Sequence, residues 1–340
     1  MTASPRVSIG LPVYNGERYL ETTLKDLLGQ TFGDFELVVC DNASTDATTD
    51  ILERAARQDS RLRVIRNDSN LGALRNANKA FGESRGDLYA LAAYDDRHAP
   101  DFLERLVAAL DQAPEAGFAY GRCTLIDEED RPLAFDPSRR VYVDGQGQVF
   151  DYDAKLEREL PSDPVGRYRA VLRSNDVNAP IHGLFRRSLL DRVGPHRLHG
   201  SDRLIVAHAA LLQPAAFVPA PLFGFRIHGG STYHLTRAEW WSREAGREDA
   251  SSPLDSARTL RAYLRAVVST PLRARERGAA IAETFRYAVR PDVLRRLFRP
   301  GPDHYFGWTG RSVEQEVMSI QEEDSRPVDY EEADWGWMGA

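Results

Sequence analysis

Val7-Ser-Ile-Gly-Leu-Pro-Val-Tyr-Asn-Gly16 opens with a short β-rich apolar run, Val7 to Pro12, and breaks it at an Asn-Gly pair. Glu17 to Leu28 follows with Leu20, Leu24, Leu27 and Leu28 at helical spacing. The same strand-then-helix unit then recurs. Phe35 to Cys40 is apolar after Glu36 and ends at Asp41-Asn42, and Asp46 to Gln58 predicts a helix with Ser44 or Thr45 as its N-cap. Leu62 to Ile65 predicts a strand, Asn67 to Gly72 a loop and Ala73 to Phe81 a helix. Leu88 to Ala93 is a further apolar run closed by Asp95-Asp96. Phe102 to Leu110 is again amphipathic, and Phe118 to Ile126 gives a fifth strand. Such alternation implies right-handed βαβ units, hence an α/β fold with a Rossmann-like, mostly parallel sheet and helices on both faces. Ligands of such sheets bind outside the carboxyl ends of the strands, where Asp41, Asn42, Asp95 and Asp96 fall.

Further along, Leu133 to Asp163 is polar and rich in Gly, Pro and Asp, which predicts loops or short antiparallel strands. Helices are expected over Arg167 to Arg173 and Asp202 to Leu212, and two short strands at Phe217-Val218 and Phe223 to Ile227. After Thr236 the composition shifts. Arg258 to Arg299 is arginine-rich and helical in pattern, interrupted by Pro271 and Pro291. From Glu314 the chain is acidic, with Trp335 and Trp337 near its end. The division that follows is a domain over residues 1–235 and a helical C-terminal appendage with an acidic tail over 236–340.

The 340 residues, 42% hydrophobic and 28% charged, suffice for one large α/β domain with an appendage and exclude a disordered chain. A net charge of -7 argues against nucleic acid as a partner, which needs a concentrated basic face. Cys40 and Cys123, the two cysteines, each lie in an apolar run and read as buried free thiols, a usage that fits a reducing cytosol. No run is apolar enough to span a bilayer, and no signal-like segment opens the sequence. The expected location is the cytoplasm, free or peripheral at the inner face of the membrane. A homo-oligomer stays open.

Three constellations carry chemistry. Adjacent carboxylates such as Asp95 and Asp96 raise each other's cost of ionisation unless a cation sits beside them, and hard oxygen donors suit Mg²⁺ or Mn²⁺. The other reading is a solvated turn before a helix. Asp41, closing a strand, is placed to accept the N–H of a base such as uracil; alternatively it belongs to a capping turn. Pro12 and Gly16 make a tight turn in which Tyr14 could stack on a planar base, although by itself the segment is only a turn.

Taken in order, Val7 to Gly16, Leu37-Val-Val-Cys-Asp41-Asn-Ala-Ser-Thr-Asp46, Asn70-Leu-Gly72-Ala-Leu-Arg75-Asn76-Ala-Asn78 and Leu91-Ala-Ala-Tyr-Asp95-Asp96 resemble the nucleotide-binding half of the family 2 glycosyltransferases. The resemblance spans about residues 5 to 130 and continues more thinly through His182-Gly183-Leu-Phe-Arg186, Gly200-Ser-Asp202 and Arg226-Ile-His228. It implies the GT-A fold and an inverting transfer from a nucleotide-sugar donor, UDP by default, to a carbohydrate or lipid-linked acceptor. It also implies Mn²⁺ or Mg²⁺ as cofactor. Carried over, Tyr14, Asp41 and Arg75 hold the base, with Pro12, Asn15 and Asn42 beside the nucleotide. Asp95 binds the diphosphate-bridging metal, with Asp96 near the ribose, metal or donor sugar, and Arg226 and His228 at the diphosphate or metal. Asp202 is the catalytic base, where position alone suggests a helix cap. In one departure, Ala93 stands where many members have the first Asp of an Asp-x-Asp-Asp run.

The arginine-rich segment has two readings, a surface for anionic lipid or a polyprenyl-phosphate acceptor, and a helical appendage packed on the core with its arginines snorkelling or pairing with the acidic tail, which is either partly disordered or docked through Trp335 and Trp337. Its prolines favour the second. Two rival functions are a non-catalytic sugar-nucleotide-binding protein and a nucleotidyltransferase. Retention of Asp95, Asp96 and Asp202 together opposes the first. The second calls for a glycine-rich basic loop after the first strand, and no Lys or Arg precedes Arg18 there.

Overall fold

The computed structural model describes residues 4–136, 156–174, 178–194, 201–228 and 253–290, with short pieces between 138 and 150. The first half runs β1 (Val7–Val13), α1 (Leu20–Leu28), β2 (Phe35–Asp41), α2 (Thr48–Gln58), β3 (Leu62–Arg66), α3 (Ala73–Glu83), β4 (Leu88–Leu91), β5 (Arg97–His98), α4 (Phe102–Gln112) and β6 (Phe118–Ile126). The second half has β7 (Ala134–Asp136), β8 (Val141–Val143), β9 (Val149–Phe150), α5 (Pro164–Arg173), α6 (Asn178–Ile181), β10 (Leu184–Arg186), α7 (Arg187–Val193), α8 (Ser201–Leu212) and β11 (Ala215–Arg226). Two helices complete it, α9 (Pro253–Ser269) and α10 (Ala274–Ala288).

Eight strands form one sheet in the order β3-β2-β1-β4-β10-β6-β11-β5, while β7, β8 and β9 make a small antiparallel sheet. Within the large sheet β10 and β5 run antiparallel and the other pairings are parallel. Register sets the site. Val13 lies opposite Asp41, and Gly10 opposite Leu91, so the ends of β1, β2 and β4 open on one edge.

Side-chain alternation along β1 decides its two faces. Val7, Ile9, Leu11 and Val13 enter a core with Leu20, Leu24 and Leu27 of α1 and Phe102, Leu103, Leu106 and Leu110 of α4. On the other face α3 crosses β1 and β2, and a Cβ on Gly10 would lie 2.1 Å from the Tyr89 hydroxyl, so only glycine fits there. A second core gathers Phe118 and Tyr120 of β6, Tyr168 and Val171 of α5, and Ile205 and Val206 of α8. Tyr263 and Val267 of α9 and Ala280 of α10 join the same cluster. The arginine-rich helices therefore pack on the α/β body by their inner side, as the proline-interrupted pattern favoured. Cys40 and Cys123 are both buried and are not joined in a disulfide.

Two local expectations change. Neither Ser44 nor Thr45 caps α2. The helix begins at Thr48 after Ala47, because Ser44 and Thr45 hydrogen-bond to Asn15 while the Asp46 carboxylate accepts the Thr48 amide. The two strands read at Phe217-Val218 and Phe223 to Ile227 are one, β11, whose pairing with β6 slips around Pro221. Proline cannot donate to a ladder, which is why the run looked divided. Strands β5 and β10, two and three residues long, were too short to leave a periodic signal. The acidic stretch from Glu314, with Trp335 and Trp337, and the run around Thr236 lie outside the described residues.

Candidate active site

The turn after β1 is tied to the turn after β2. Asn15 takes a positive φ of 50°, which asparagine tolerates, and its amide donates to the Ser44 hydroxyl at 2.9 Å. Its side-chain oxygen accepts the Thr45 amide at 2.8 Å, and the Gly16 amide donates to Thr48 Oγ1 at 2.8 Å. These bonds leave Pro12 and Tyr14 half-buried and Asn15 exposed at the edge.

Asp41, fully buried at the end of β2, accepts the Ser44 amide on Oδ1 and the Thr49 hydroxyl and Arg66 on Oδ2, the last at 2.6 Å. About three of the four lone-pair positions of a carboxylate are thereby filled. Arg66 was not foreseen; its one signal was its place at the end of β3, level with Asp41 in the register. Asn42 is buried and spends its amide on the loop before α3, accepting from the Leu71 amide and Asn67 and donating to Asn70. It shapes that loop from beneath. Arg75 is exposed on the first turn of α3.

The acidic pair divides. Asp95 keeps 21% of its side chain exposed and meets His228 Nε2 at 3.0 Å. Asp96 is turned inward and accepts the Arg226 amide at 2.9 Å on one oxygen, while Oδ2 has no hydrogen-bond partner. Burial, and then the Asp95 charge, push the Asp96 carboxyl well above the usual carboxylate range against the pull of Arg226. Of the expected metal set of Asp95, Asp96 and His228, the structure brings Asp95 and His228 into contact. Among the described residues no three His, Cys, Asp or Glu groups converge on one point, and Asp96 faces the Arg226 backbone. Asp95 and His228 remain as one carboxylate oxygen and one imidazole nitrogen, a donor set that fits a divalent cation whose other positions come from non-protein oxygens.

Arg226 sits beneath this pair. It is 2% exposed and donates to the Asp95 carbonyl at 2.6 Å, the Asp127 carbonyl at 2.9 Å and the Asp130 carboxylate, with its guanidinium 4.6 Å from the Tyr19 ring. Arg97 joins from β5, bonded to Asp26 at 2.6 Å and Asp130 at 2.7 Å. One of these hydrogen bonds, from Arg226 to the Asp95 carbonyl, holds the backbone bearing Asp95, and the rest tie Arg226 and Arg97 to Asp127, Asp130 and Asp26. Arg226, which the family resemblance puts at the diphosphate or metal, thus lies directly behind the backbone of Asp95.

Across the sheet edge, Asp202 is exposed on the first turn of α8, which starts at Ser201, so it is a helical residue and no N-cap. The charges of both Asp202 and Asp95 act on His182. Its Nδ1 lies 3.0 Å from the Leu91 carbonyl and its ring stacks on Phe223 at 4.6 Å. A carbonyl only accepts, so Nδ1 carries the proton, and burial, the largest influence, holds the ring's pKa below its usual value. The neutral ring thus keeps Nε2 as an acceptor. The sequence marked the segment around His182, and its tautomer is fixed only by contact with β4.

The edge collects a buried carboxylate at β2, an acidic pair after β4, a histidine after β11 and a carboxylate on α8. Residues 8–194, more than half of the chain, match the family described as Glycosyl transferase family 2. The chain is 28% identical to a putative glycosyltransferase, EpsH, of Bacillus subtilis over 236 residues, which cover 66% of this chain and 62% of that protein. It is 24% identical to the glycosyltransferase GlyG of Streptococcus pneumoniae over 243 residues, 71% of this chain and 77% of that protein. The match to EpsH thus spans less than two thirds of that relative's length. Among solved structures, S. aureus TarS in complex with UDP-GlcNAc superposes with a TM-score of 0.61 at 19% identity, covering 83% of this chain and 72% of that one. That likeness bears on the fold, and the fold is the GT-A fold expected from the sequence.

Proposed function

The chain belongs to glycosyltransferase family 2, and from that premise we propose that it moves a sugar with inversion from a nucleoside-diphosphate sugar, a UDP-sugar first, to an acceptor hydroxyl. Such a transfer suits polysaccharide, glycolipid or glycoconjugate synthesis. The observation that carries this reading is the contact of Asp95 with His228 at 3.0 Å at the carboxyl end of the sheet, with the charges of both Asp95 and Asp202 acting on the buried His182.

In the proposed reaction Tyr14, Asp41 and Arg75 bind the base. Asp41 has room for one more donor, which matches the single ring N–H that uracil keeps when its other ring nitrogen bears the ribose. Asp95 and His228 would hold Mn²⁺ or Mg²⁺, and the imidazole nitrogen favours Mn²⁺. When bound, the cation neutralises charge developing on the diphosphate. Asp202 takes the proton of the acceptor hydroxyl as that oxygen bonds to the anomeric carbon. The bond to the diphosphate breaks in the same displacement, and its electron pair leaves with the nucleotide. Attack opposite the leaving group inverts the anomeric centre. Arg226 fixes the backbone carbonyl of Asp95, and His182 accepts a hydroxyl on the sugar side.

Thermal unfolding with UDP, dTDP, GDP and CMP, each with and without Mn²⁺, tests the reading. A ligand at 100 times its dissociation constant should stabilise by about 2.7 kcal/mol, a shift of roughly 4 °C. A metal-dependent shift with UDP supports the proposal. No shift with any nucleotide defeats it.

A further inference from the structure

Three large apolar side chains are exposed among the described residues: Val268 (63%), Phe285 (48%) and Val289 (60%). All three lie on the α9–α10 hairpin. From Arg258 to Arg290 this region holds eight arginines against two acids, Glu276 and Glu283, in a chain whose net charge is -7. Both acids are already engaged, Glu276 with Arg273 and the buried Glu283 with Arg169 and Arg286. Arg261 and Arg265 are exposed one turn apart on α9, in line with Val268, and Arg275 is exposed at the start of α10. The inner side packs on α5 and α8, leaving an outer side that combines basic and apolar groups.

Residues 314–340 have the complementary character. They contain nine acidic residues, one arginine (Arg326), and the pair Trp335 and Trp337. We propose that this acidic C-terminal segment docks on the outer side of the α9–α10 hairpin. Its carboxylates lie against Arg261, Arg265 and Arg275, and its tryptophans against the exposed apolar side chains. Reach sets no limit. Even at a helical rise of ~1.5 Å per residue, the 23 residues between Arg290 and Glu314 extend about 35 Å, more than the ~25 Å length of α9. A tethered segment competes at an effective concentration near the millimolar range, which an unattached polyanion must match. The main competing occupant, an anionic bilayer, would have to approach a chain that is itself net negative and displace its own acidic end.

Arginine-selective dicarbonyl modification of the full-length protein, read residue by residue by mass spectrometry, tests the docking. The comparison is with a full-length variant carrying Gln or Asn at the seven acids between 322 and 334. Arg261, Arg265 and Arg275 should react several-fold more slowly in the native chain, while Arg57, remote on α2, reacts at one rate in both. Raising the salt to 1 M, where the screening length falls to about 3 Å, should release most of that protection. A second full-length variant, Trp335→Ala with Trp337→Ala, should lose part of it at low salt. Equal rates in native and neutralised chains would overturn the proposal. So would protection that appears only with phosphatidylglycerol vesicles and to the same extent in both chains, since the occupant would then be the bilayer.

Discussion

At the β1–β2 edge of the sheet, the turns after β1 and β2 are tied to each other through Asn15, Ser44, Thr45 and Thr48, and the loop before α3 is tied to Asn42. At the α8 edge, Asp202 lies on the first turn of a helix, and His182, on which its charge acts, is set by one carbonyl and one aromatic ring. The β1–β2 edge is thus assembled from residues 29 to 32 apart in sequence, on successive strand–helix units, whose short polar side chains satisfy each other's backbone. The other edge is assembled from α8, β10 and β11, which meet only when the sheet is complete. This difference teaches that binding and transfer should be separable. A change at one edge should spare the other.

The largest separation is expected from Asp202→Asn. Transfer should fall by about 10²–10⁴, the usual worth of a positioned general base, while the UDP-induced thermal shift stays the same. Initial rates beside thermal unfolding give both readings, and near-full transfer would remove Asp202 from the role.

Arg226→Ala should act on the opposite terms. It strips a buried cation from the Asp95 and Asp127 carbonyls and the Asp130 carboxylate, which should cost about 3–5 kcal/mol. Chemical denaturation reads that loss, and an unchanged midpoint would mean the backbone bearing Asp95 holds itself.

His98 sharpens the comparison through pH. It is buried between Phe102 and Phe223 with Nδ1 unpartnered, and burial, then the nearby His182 and Arg97, push its pKa down to about 3. In the unfolded chain it takes a proton near the ordinary value, about 6.5. Its folded pKa is the lower one, so its contribution is full above about 6.5 and is lost as pH falls toward the folded value. Urea midpoints measured from pH 7 to 4 should therefore decline, and His98→Leu should flatten the decline by on the order of 2–3 kcal/mol at its acid end. Parallel profiles for the two proteins would count against it.

The smallest effect lies farthest from both edges. Tyr168 on α5 reaches Thr284 on α10 at 2.7 Å, and Thr284 also donates to the Ala280 carbonyl. Tyr168→Phe should cost about 1 kcal/mol and leave donor binding and transfer alone. Altered kinetics would show that the hairpin communicates with the site.

Periodicity made β1, β2, β4, β6 and helices α1 to α5 legible, because each is long enough for apolar alternation or a helical stripe to show. Asp41 and Asp95 were legible as carboxylates closing apolar runs. The same signal could not tell Asp95 from Asp96, since two neighbours in sequence share a position and differ only in which way the backbone turns them. Nor could it find Arg66, whose partner Asp41 lies one strand away, or the role of Arg226, whose Asp95 and Asp127 partners are about a hundred residues distant.

The sequence by itself determined the βα alternation, the sheet with its carboxyl-end edge, and the identity of the acidic groups, because local spacing encodes burial and strand ends place polar residues. The tertiary structure alone decided their states. Packing of β11 against β6 and β5 brings Arg226 and His228 under the acidic pair, so one carboxylate is left half-open beside an imidazole and the other is buried and held toward protonation. That outcome depends on solvent exclusion and on charges distant in sequence, and no reading of neighbours along the chain contains either.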